Sequence, residues 1–270
     1  MKSVFVLALA GFGILFWSIP TQAKLQIENI QACYGPFGPE RKAFELYPFD
    51  NLYVRFTVTG LKTDAAGKAD TTVKLKLVDS KGNVIGDTSF GSTGVLNLGG
   101  DSFLVFVNLR MQDQVPVGKN SLTLTITDNL SKESASFERP ITGKKGKLQI
   151  VALEFFHDPD GKLPASTNGA LGEPLHFRLR VIGYDRSKEK IHTELAVQTL
   201  DADGKENLPK PMVLNFQEKD ARAVQNTSFV FFTSSIGLNR AGKFTLRITV
   251  TDRITNQSTK TEVPVTVTAP

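Results

Sequence analysis

The stretch Gly242-Lys-Phe-Thr-Leu-Arg-Ile-Thr-Val-Thr-Asp252 decides the fold class of this sequence. Apolar residues occupy every second position, and threonine or arginine stands between them. A period of two is typical of a β-strand that buries one face and exposes the other. A closely similar stretch, Gly118-Lys-Asn-Ser-Leu-Thr-Leu-Thr-Ile-Thr-Asp128, lies 124 residues earlier in the chain. The sequence therefore contains the same strand twice.

The repeat extends over most of the chain. Four pairs of segments match in the same order, at offsets that drift only between 122 and 124 residues. Collinear matches with small drifts indicate an internal duplication in which the insertions fall in loops. The other three pairs are residues 24–27 with 147–150 (Lys-Leu-Gln-Ile in both), 52–58 with 175–181, and 77–82 with 199–204.

Each unit consists of strand-like runs separated by turn residues, and no 11-residue stretch after residue 23 has helical periodicity. Seven short strands in a unit of this size are typical of an immunoglobulin-like sandwich. We predict an all-β protein with two tandem immunoglobulin-like β-sandwich domains, residues 24–143 and 147–270, joined by a short basic linker at 144–146. The cluster Lys144-Lys-Gly-Lys147 is interpreted as a solvated hinge. In the second unit the runs start near residues 147, 175, 190, 211, 226, 243 and 258.

The stretch 240–256 resembles the penultimate strand and hairpin of Ig-like or fibronectin-like repeats in bacterial exported proteins. In those repeats a Pro/Ala-Gly-x-aromatic start precedes an alternating strand that ends in Asp and a polar turn. The first unit keeps Gly118-Lys119 and Thr127-Asp128 but has Asn120 where the aromatic residue would stand. The resemblance implies a binding, spacer or adhesion module more often than an enzyme.

The N-terminal 23 residues have the order of a secretory signal peptide: a lysine, an apolar run from Val4 to Trp17, and small residues before a cut after Ala23. The apolar run is about 14 residues long, shorter than the ~20 that a spanning helix needs. Acylation at Cys33 is an alternative whose motif matches poorly. We therefore expect an exported protein, periplasmic or extracellular, with no transmembrane segment in the mature chain.

Charge and cysteine content exclude further classes. The net charge is +5, of which Lys2 belongs to the predicted signal peptide, and the rest is divided equally between the two units. A nucleic-acid-binding protein usually concentrates its positive charge in a patch, so we expect no nucleic-acid partner. The single cysteine cannot form an internal disulfide, and each sandwich must be stabilised by its apolar core.

The residues that could carry chemistry are few. The three histidines, His157, His176 and His192, are too far apart in sequence for the short spacings of a zinc site, and no G-x-S-x-G elbow is present. The acidic stretches at Asp158 and Asp201 fall short of a calcium loop. We interpret them, with the equivalent Asp79, as turns in which Asp accepts hydrogen bonds and Gly takes a positive φ. We therefore predict no cofactor, no metal and no catalytic site.

Two features could form a partner surface. Residues 103–107 and 229–232 are apolar on both faces; we place Phe103, Val105, Val107, Phe229 and Phe231 in the core. The segment Cys33–Phe49 is rich in aromatic residues and proline, and loops carry function more often than strands do. A covering loop or the neighbouring domain could also bury either feature. The candidate surface comprises Tyr34, Phe37, Tyr47, Leu104, Phe106, Val230 and Phe232, with Arg178 and Arg180 beside the outward His176.

These observations favour a non-catalytic, exported tandem Ig-like protein that acts as a binding, adhesion or spacer module and has a protein or cell-envelope component as its partner. A periplasmic assembly chaperone and a carbohydrate-binding accessory protein are the alternatives. Sugar platforms favour exposed aromatic residues, and the tyrosines available for one are Tyr34, Tyr47, Tyr53 and Tyr184.

The Lys-Leu-Gln-Ile copies make one further prediction. The spacing between successive apolar residues is two within each copy, from Leu25 to Ile27 and from Leu148 to Ile150. It becomes three after each copy, to Ile30 and to Leu153, which strict alternation does not allow. We predict a bulge or a change of sheet just after residues 27 and 150.

Overall fold

The computed structural model describes residues 24–113 and 115–269. The predicted signal peptide, residues 1–23, lies outside the described residues. Strands make up 58% of the described residues and helix 2%. The chain forms two β-sandwiches in tandem, which confirms the predicted fold class and the fold-level resemblance to Ig-like repeats.

The first domain pairs a three-stranded sheet with a five-stranded sheet. The smaller sheet has the order β1-β3-β6 and the larger the order β2-β8-β7-β4-β5. Apart from the short parallel β2–β8 pair, neighbouring strands run antiparallel. The strands are β1 Gln26–Cys33, β2 Glu45–Leu46, β3 Asn51–Thr59, β4 Lys68–Val78, β5 Val84–Val95, β6 Phe103–Arg110, β7 Gly118–Asp128 and β8 Ser134–Gly143.

The second domain repeats this arrangement strand for strand. Its sheets have the orders β9-β11-β14 and β10-β16-β15-β12-β13, and one short helix lies between β13 and β14. The elements are β9 Gln149–Phe156, β10 Asn168–Ala170, β11 Pro174–Ile182, β12 Ile191–Leu200, β13 Met212–Glu218, α1 Ala221–Asn226, β14 Val230–Gly237, β15 Gly242–Asp252 and β16 Ser258–Thr268.

Each sandwich has its own core, built by the alternation seen in the sequence. In β7, Leu122, Leu124 and Ile126 are buried between half-buried threonines, and β15 buries Leu246, Ile248 and Val250 in the same way. The two clusters draw on residues 25–141 and 148–267. The domain borders at residues 143 and 147 stay a prediction.

The connection before β14 differs from the prediction. We expected a strand from about residue 226, but Ala221–Asn226 form helix α1. Asp220 caps the helix, because its side chain accepts a hydrogen bond from the backbone N–H of Ala223 at 2.8 Å. Val224 is buried in the core of the second domain, so this turn of helix is held by packing.

The predicted irregularity after each Lys-Leu-Gln-Ile copy is confirmed. The pairing of β1 with β3 shifts register between Glu28 and Gln31. The pairing of β9 with β11 skips Val151, since Ile150 pairs with Val181 and Ala152 with Arg180. A bulge leaves one residue out of the ladder, and at Val151 that residue lies next to the first domain.

The acidic turns have the predicted geometry. Oδ1 of Asp79 accepts hydrogen bonds from the backbone N–H groups of Lys81 and Asn83, both at 2.8 Å. In the equivalent turn, Asp201 accepts from Asp203 and Lys205 at 3.0 and 2.9 Å. Each turn ends in a glycine with positive φ, 87° at Gly82 and 79° at Gly204, a conformation that costs glycine little.

The aspartate that ends β7 and β15 connects the two sheets of each sandwich. The buried Asp128 accepts from the backbone N–H of Lys62 at 2.8 Å, beyond the end of β3, and also from Leu130 at 2.8 Å in its own turn. Asp252 accepts from Asp185, beyond β11, at 2.9 Å. Burial of Asp128 acts to raise its pKa, but the hydrogen bonds from Lys62 and Leu130 outweigh it, so the pKa is lowered.

We expect Asp128→Asn to lower the free energy of unfolding by about 1–3 kcal/mol at pH 7, because an amide accepts through one oxygen only. The carboxylate has a lower pKa in the folded state than its usual ~3.9. Its stabilisation is therefore complete above that value and disappears as the pH falls through the folded-state pKa. The difference between wild type and variant, measured by calorimetry from pH 7 to pH 3, should shrink in acid. Asp87→Asn, at an exposed position of β5, is the control, and a difference that grows in acid would contradict the assignment.

Candidate functional site formed by both domains

The segment between β1 and β3 makes the contact between the two domains. The carbonyl oxygen of Tyr34 accepts from the N–H of Leu153 in β9 at 3.2 Å, and the half-buried Tyr34 packs against the core of the second domain. Two glycines allow this approach. A Cβ on Gly38 would lie 2.7 Å from the carbonyl oxygen of Leu153, and one on Gly35 would lie 3.1 Å from it.

Arg41 lies at the centre of this contact. Its buried guanidinium donates to both carboxylate oxygens of Asp50, at 2.9 and 2.7 Å. It also donates across the domain boundary to the carbonyl oxygen of the bulged Val151, at 2.5 Å, and lies 4.7 Å from the ring centre of Tyr34. Asp50 is fully buried and also accepts from the backbone N–H of Tyr47 at 3.2 Å. The segment is thus bonded to its own domain and to the next.

A small apolar cluster adjoins this ion pair, because Val151 and Tyr47 bond to it through their backbones. Tyr47, Val151 and Ile182 are buried together, with Phe49 and Phe229 packed against them. The cluster takes residues from both domains, so Tyr47 contacts the second domain and is not available to another partner. Burial, and then the charge and hydrogen bond of Glu45, raise the pKa of Tyr47, which keeps the phenol protonated.

The linker is attached to this contact at its first residue, Lys144, while Lys145, Gly146 and Lys147 are exposed; that the cluster is a hinge stays a prediction. The N–H of Lys144 donates to the carbonyl of Leu46 at 2.8 Å. Its ammonium lies 3.1 Å from Glu45, which also accepts from the Tyr47 hydroxyl at 2.7 Å. Burial of Glu45 acts to raise its pKa, but these two partners outweigh it and lower the pKa.

The solvent side of the two three-stranded sheets, which we call the outer face, carries the exposed aromatic residues. In the first domain, the Phe106 ring lies edge-on to Phe37 at 5.7 Å and to Tyr53 at 6.5 Å. Leu104, beside them on β6, is 54% exposed and Phe106 is 41% exposed. Arg55 pairs with Phe106 across the strands and donates to Gln31 at 2.7 Å.

In the second domain the outer face has the same plan. Arg178, equivalent to Arg55, donates to Glu154 at 3.1 Å. Arg180 lies 4.8 Å from the ring centre of Phe229 and 4.9 Å from that of Phe231, an arrangement in which guanidinium and rings attract each other. Burial lowers the pKa of Arg180 and the charge of Glu154 opposes this shift, while arginine stays charged near neutral pH.

The two halves of the outer face adjoin. The Tyr53 hydroxyl donates to Glu154 across the domain boundary at 3.1 Å, and Arg180 donates to the carbonyl oxygen of Phe49 at 3.3 Å. Arg110, at the end of β6, is close enough for its charge to act on Arg180. The result is one surface in which four arginines (Arg55, Arg110, Arg178 and Arg180) accompany two glutamates (Glu28 and Glu154) and a set of exposed rings.

The structure brings some of the predicted surface residues together and separates others. Phe37, Leu104, Phe106, Arg178 and Arg180 lie on the outer face, whereas Tyr34 and Tyr47 lie in the domain contact. The prediction for the second apolar strand is wrong. Val230 and Phe232 are buried, and Phe231 is 42% exposed.

The error at β14 is a register slip. Each strand is apolar on both faces, and we assigned the first phenylalanine of each, Phe103 and Phe229, to the core side. In the ladder Leu104 pairs with Thr57, and Phe231 pairs with the equivalent Arg180. Leu104, the second residue of its run, therefore corresponds to Phe231, the third residue of its run, and the connection before this strand is longer in the second unit because it contains α1. A shift of one residue moves every side chain of a strand to the other face.

We did not single out Glu154 or Arg110 from the sequence. We named Tyr53 only for a sugar platform and assigned Phe231 to the core. The repeat itself contained a signal for one pair: Gln31 with Arg55 and Glu154 with Arg178 are equivalent at an offset of 123. A polar pair retained at the same place in both copies would have indicated two neighbouring strands with a common outward side.

The remaining candidate groups stand apart from one another. His176 lines a groove of about 380 Å³ on the outer face, with Asp160 and Arg178, while His157 is exposed and His192 contacts Gln217 at 3.3 Å. The described residues contain no group of three or more His, Cys, Asp or Glu that could hold a metal ion. Cys33 is buried at the end of β1, which argues against acylation there.

No helix among the described residues is long and apolar enough to cross a membrane.

No family model and no curated protein matches the chain. The solved structures that it is similar to include the C-terminal domain of the AgI/II polypeptide BspA of Streptococcus agalactiae, at 11% identity over 90% of this chain and 99% of that chain, with a TM-score of 0.29. A second structure, titled BspA_C_WT, is 12% identical over 89% of this chain and 99% of that one, also with a TM-score of 0.29.

We expect Arg41→Met to lower the free energy of unfolding by about 3–5 kcal/mol, since it leaves the Asp50 carboxylate buried without its cation. The double variant Arg41→Met/Asp50→Leu should recover part of that loss, because no buried charge remains. Chemical denaturation followed by circular dichroism measures both. Arg247→Met removes an exposed ion pair with Glu262 and should stay close to wild type. Equal losses in the single and double variants would contradict this account.

We expect Gly38→Ala to separate the domains without unfolding either core, because the new methyl group would collide with the Leu153 carbonyl. Amide hydrogen exchange of Leu153 should accelerate at least about tenfold as its bond to Tyr34 opens, while the amides of β7 and β15 keep their protection. Gly91→Ala is the matched control, since a Cβ there meets nothing within 4 Å. Unchanged exchange at Leu153 would show that the approach tolerates a side chain.

Proposed function

We propose that the protein is a non-catalytic, exported binding module of the cell envelope, periplasmic or extracellular, and that it binds its partner through the outer face. The single observation that carries the proposal is that exposed aromatic rings and arginines from both domains adjoin on one surface. The predicted signal peptide supports export. Under this proposal the tandem arrangement has a purpose, since neither domain alone presents the whole surface.

The chemistry of the outer face is that of a recognition surface. Aromatic residues and arginine are the residue types that most often dominate binding energies at protein interfaces. Here Phe37, Phe106 and Phe231 are partly or largely exposed, and their neighbours Arg178 and Arg180 are already oriented by Glu154 and by ring contacts. Side chains held in place before binding lose less entropy on association.

The charge of the outer face indicates what its partner carries. The acidic residues of the outer face are Glu28, Glu154 and Asp160, and Asp160 is already paired with Lys162. The four arginines therefore leave the face cationic, so the complementary surface would be apolar or aromatic and bordered by carboxylates. Carbohydrate binding has less support. Tyr47 and Tyr184 are buried, and Tyr34 and Tyr53 are half-buried and engaged in the domain contact, which leaves no open tyrosine platform.

We expect Phe106→Ser/Phe231→Ser to weaken binding of the envelope partner. Residues 24–270 are immobilised, exposed to an envelope extract of the producing organism, and the retained protein is purified and titrated against each variant. The affinity should fall at least about tenfold, as for the loss of central aromatic contacts. Val213→Ser changes an apolar residue that is 45% exposed on the five-stranded sheet and should leave the affinity unchanged.

Three outcomes would overturn the proposal. The partner could bind the Val213 variant poorly and the Phe106/Phe231 variant well, which would place the site on the other sheet. A glycan array could show binding of a polysaccharide and no protein partner. A hydrolytic activity that disappears in His157→Ala, His176→Ala or His192→Ala would show that the protein is an enzyme.

A further inference from the structure

The first sandwich is open along the side between β5 and β6. A cleft of about 230 Å³ there reaches the core residues Val58, Val73 and Ile126. Phe90, on the core-facing side of β5 opposite Val73, remains 41% exposed. A large apolar residue that faces the core and yet meets water indicates that a covering element is absent at this position.

The second sandwich shows what covers the equivalent position. Ser92 in β5 lies opposite Thr71, and its counterpart in β13 is Phe216, opposite Thr193. Phe216 packs against the core of the second domain, and so does Val224 of helix α1. The first domain has a serine in place of that phenylalanine and a connection, residues 96–102, without a helix. The second domain does have an opening of about 550 Å³, but it lies at the other end of β13, near Met212.

Both strands that border the cleft are edge strands. Among the described residues, β6 pairs only with β3, and β5 pairs only with β4. An edge strand presents a row of unpaired N–H and C=O groups, which natural proteins usually protect with lysine, proline or a bulge. Residues 103–110 of β6 contain no lysine and no proline. A strand added beside β6 would extend the smaller sheet from three strands to four and would lie over the exposed side of β5.

We propose that this cleft binds an extended segment of a partner protein, with apolar side chains at alternate positions, as an added strand beside β6. The inward side chains would fill the space that Phe216 and Val224 fill in the second domain. The outward side chains would continue the apolar surface of Leu104 and Phe106. This mode derives affinity from main-chain hydrogen bonds and specificity from the alternate side chains. The site belongs to the first domain alone and does not depend on the outer face of the second.

The probe is a synthetic peptide of about nine residues, the length of an ordinary strand, with alternating leucine and threonine, terminal lysines for solubility and a fluorescent label. We expect residues 24–270 to bind this peptide. Ser92→Phe should weaken binding at least tenfold, because it places in the cleft the phenylalanine that the second domain has at the equivalent position, Phe216. Ser89→Phe is the matched control, because Ser89 is exposed on the opposite face of β5. Bound peptide should slow amide exchange in residues 103–110 of β6 and leave β14 unchanged.

Two further peptides test the mode of binding without any variant. One has the same composition but places the leucines next to one another, so that they no longer all lie on the side of the strand that faces the cleft. The other has proline at the threonine positions and cannot donate ladder hydrogen bonds. Both should bind at least tenfold more weakly. The proposal is overturned if the alternating peptide does not bind, if the Ser92 variant or either modified peptide binds equally well, or if sedimentation shows that wild type self-associates through this edge and the Ser92 variant does not, which would make a second copy the occupant.

Discussion

The arrangement of this protein depends on one buried cation. The guanidinium of Arg41 leaves water to lie between Asp50 of its own domain and the carbonyl oxygen of Val151 in the next. Burial of two charges costs free energy that their attraction offsets only when hydrogen bonds satisfy them. Both oxygens of Asp50 are occupied, the ring of Tyr34 covers the cation, and only Nε of Arg41 lacks a partner. We infer that the pair specifies one orientation of the domains, since its bonds reach both of them.

The Arg41 bond is made at the bulge in β9. This strand lies at the edge of its sheet, and its open edge faces the first domain, as the bond from the N–H of Leu153 to the carbonyl oxygen of Tyr34 shows. Because Val151 lies outside the pairing of β9 with β11, its carbonyl accepts from the other domain while its side chain joins the apolar cluster with Tyr47 and Ile182. The orientation fixed in this way brings Tyr53 within hydrogen-bond distance of Glu154, and the two outer faces become one surface.

The sequence predicts this fold well wherever the two copies agree. The alternation in β7 and β15, the turns at Asp79 and Asp201, and the irregularity after Lys-Leu-Gln-Ile are local patterns that occur twice, so each copy supports the other. The prediction fails at β14, where α1 lengthens one copy and the offset changes by a residue. It also misses the Arg41–Asp50 pair. At an offset of 123 these residues correspond to Pro164 and Glu173, and a pair formed by folding has no spacing that marks it.

The two copies of the sandwich differ in the contacts that they make. The first copy uses the segment after β1 to bind the second domain, with glycine at positions 35 and 38 for close approach. In the second copy the equivalent place holds an exposed turn at Asp158, whose carboxylate accepts from Lys162 and Leu163 within the same turn, so the same contact is not available there. At the open side of the sandwich it is the second copy that has the additional contacts. Phe216 and Val224 pack there against its core, whereas Phe90 of the first copy remains exposed. The two domains share one strand order. The contacts that distinguish them lie in the segment after the first strand of each domain and along the edge between its fifth and sixth strands.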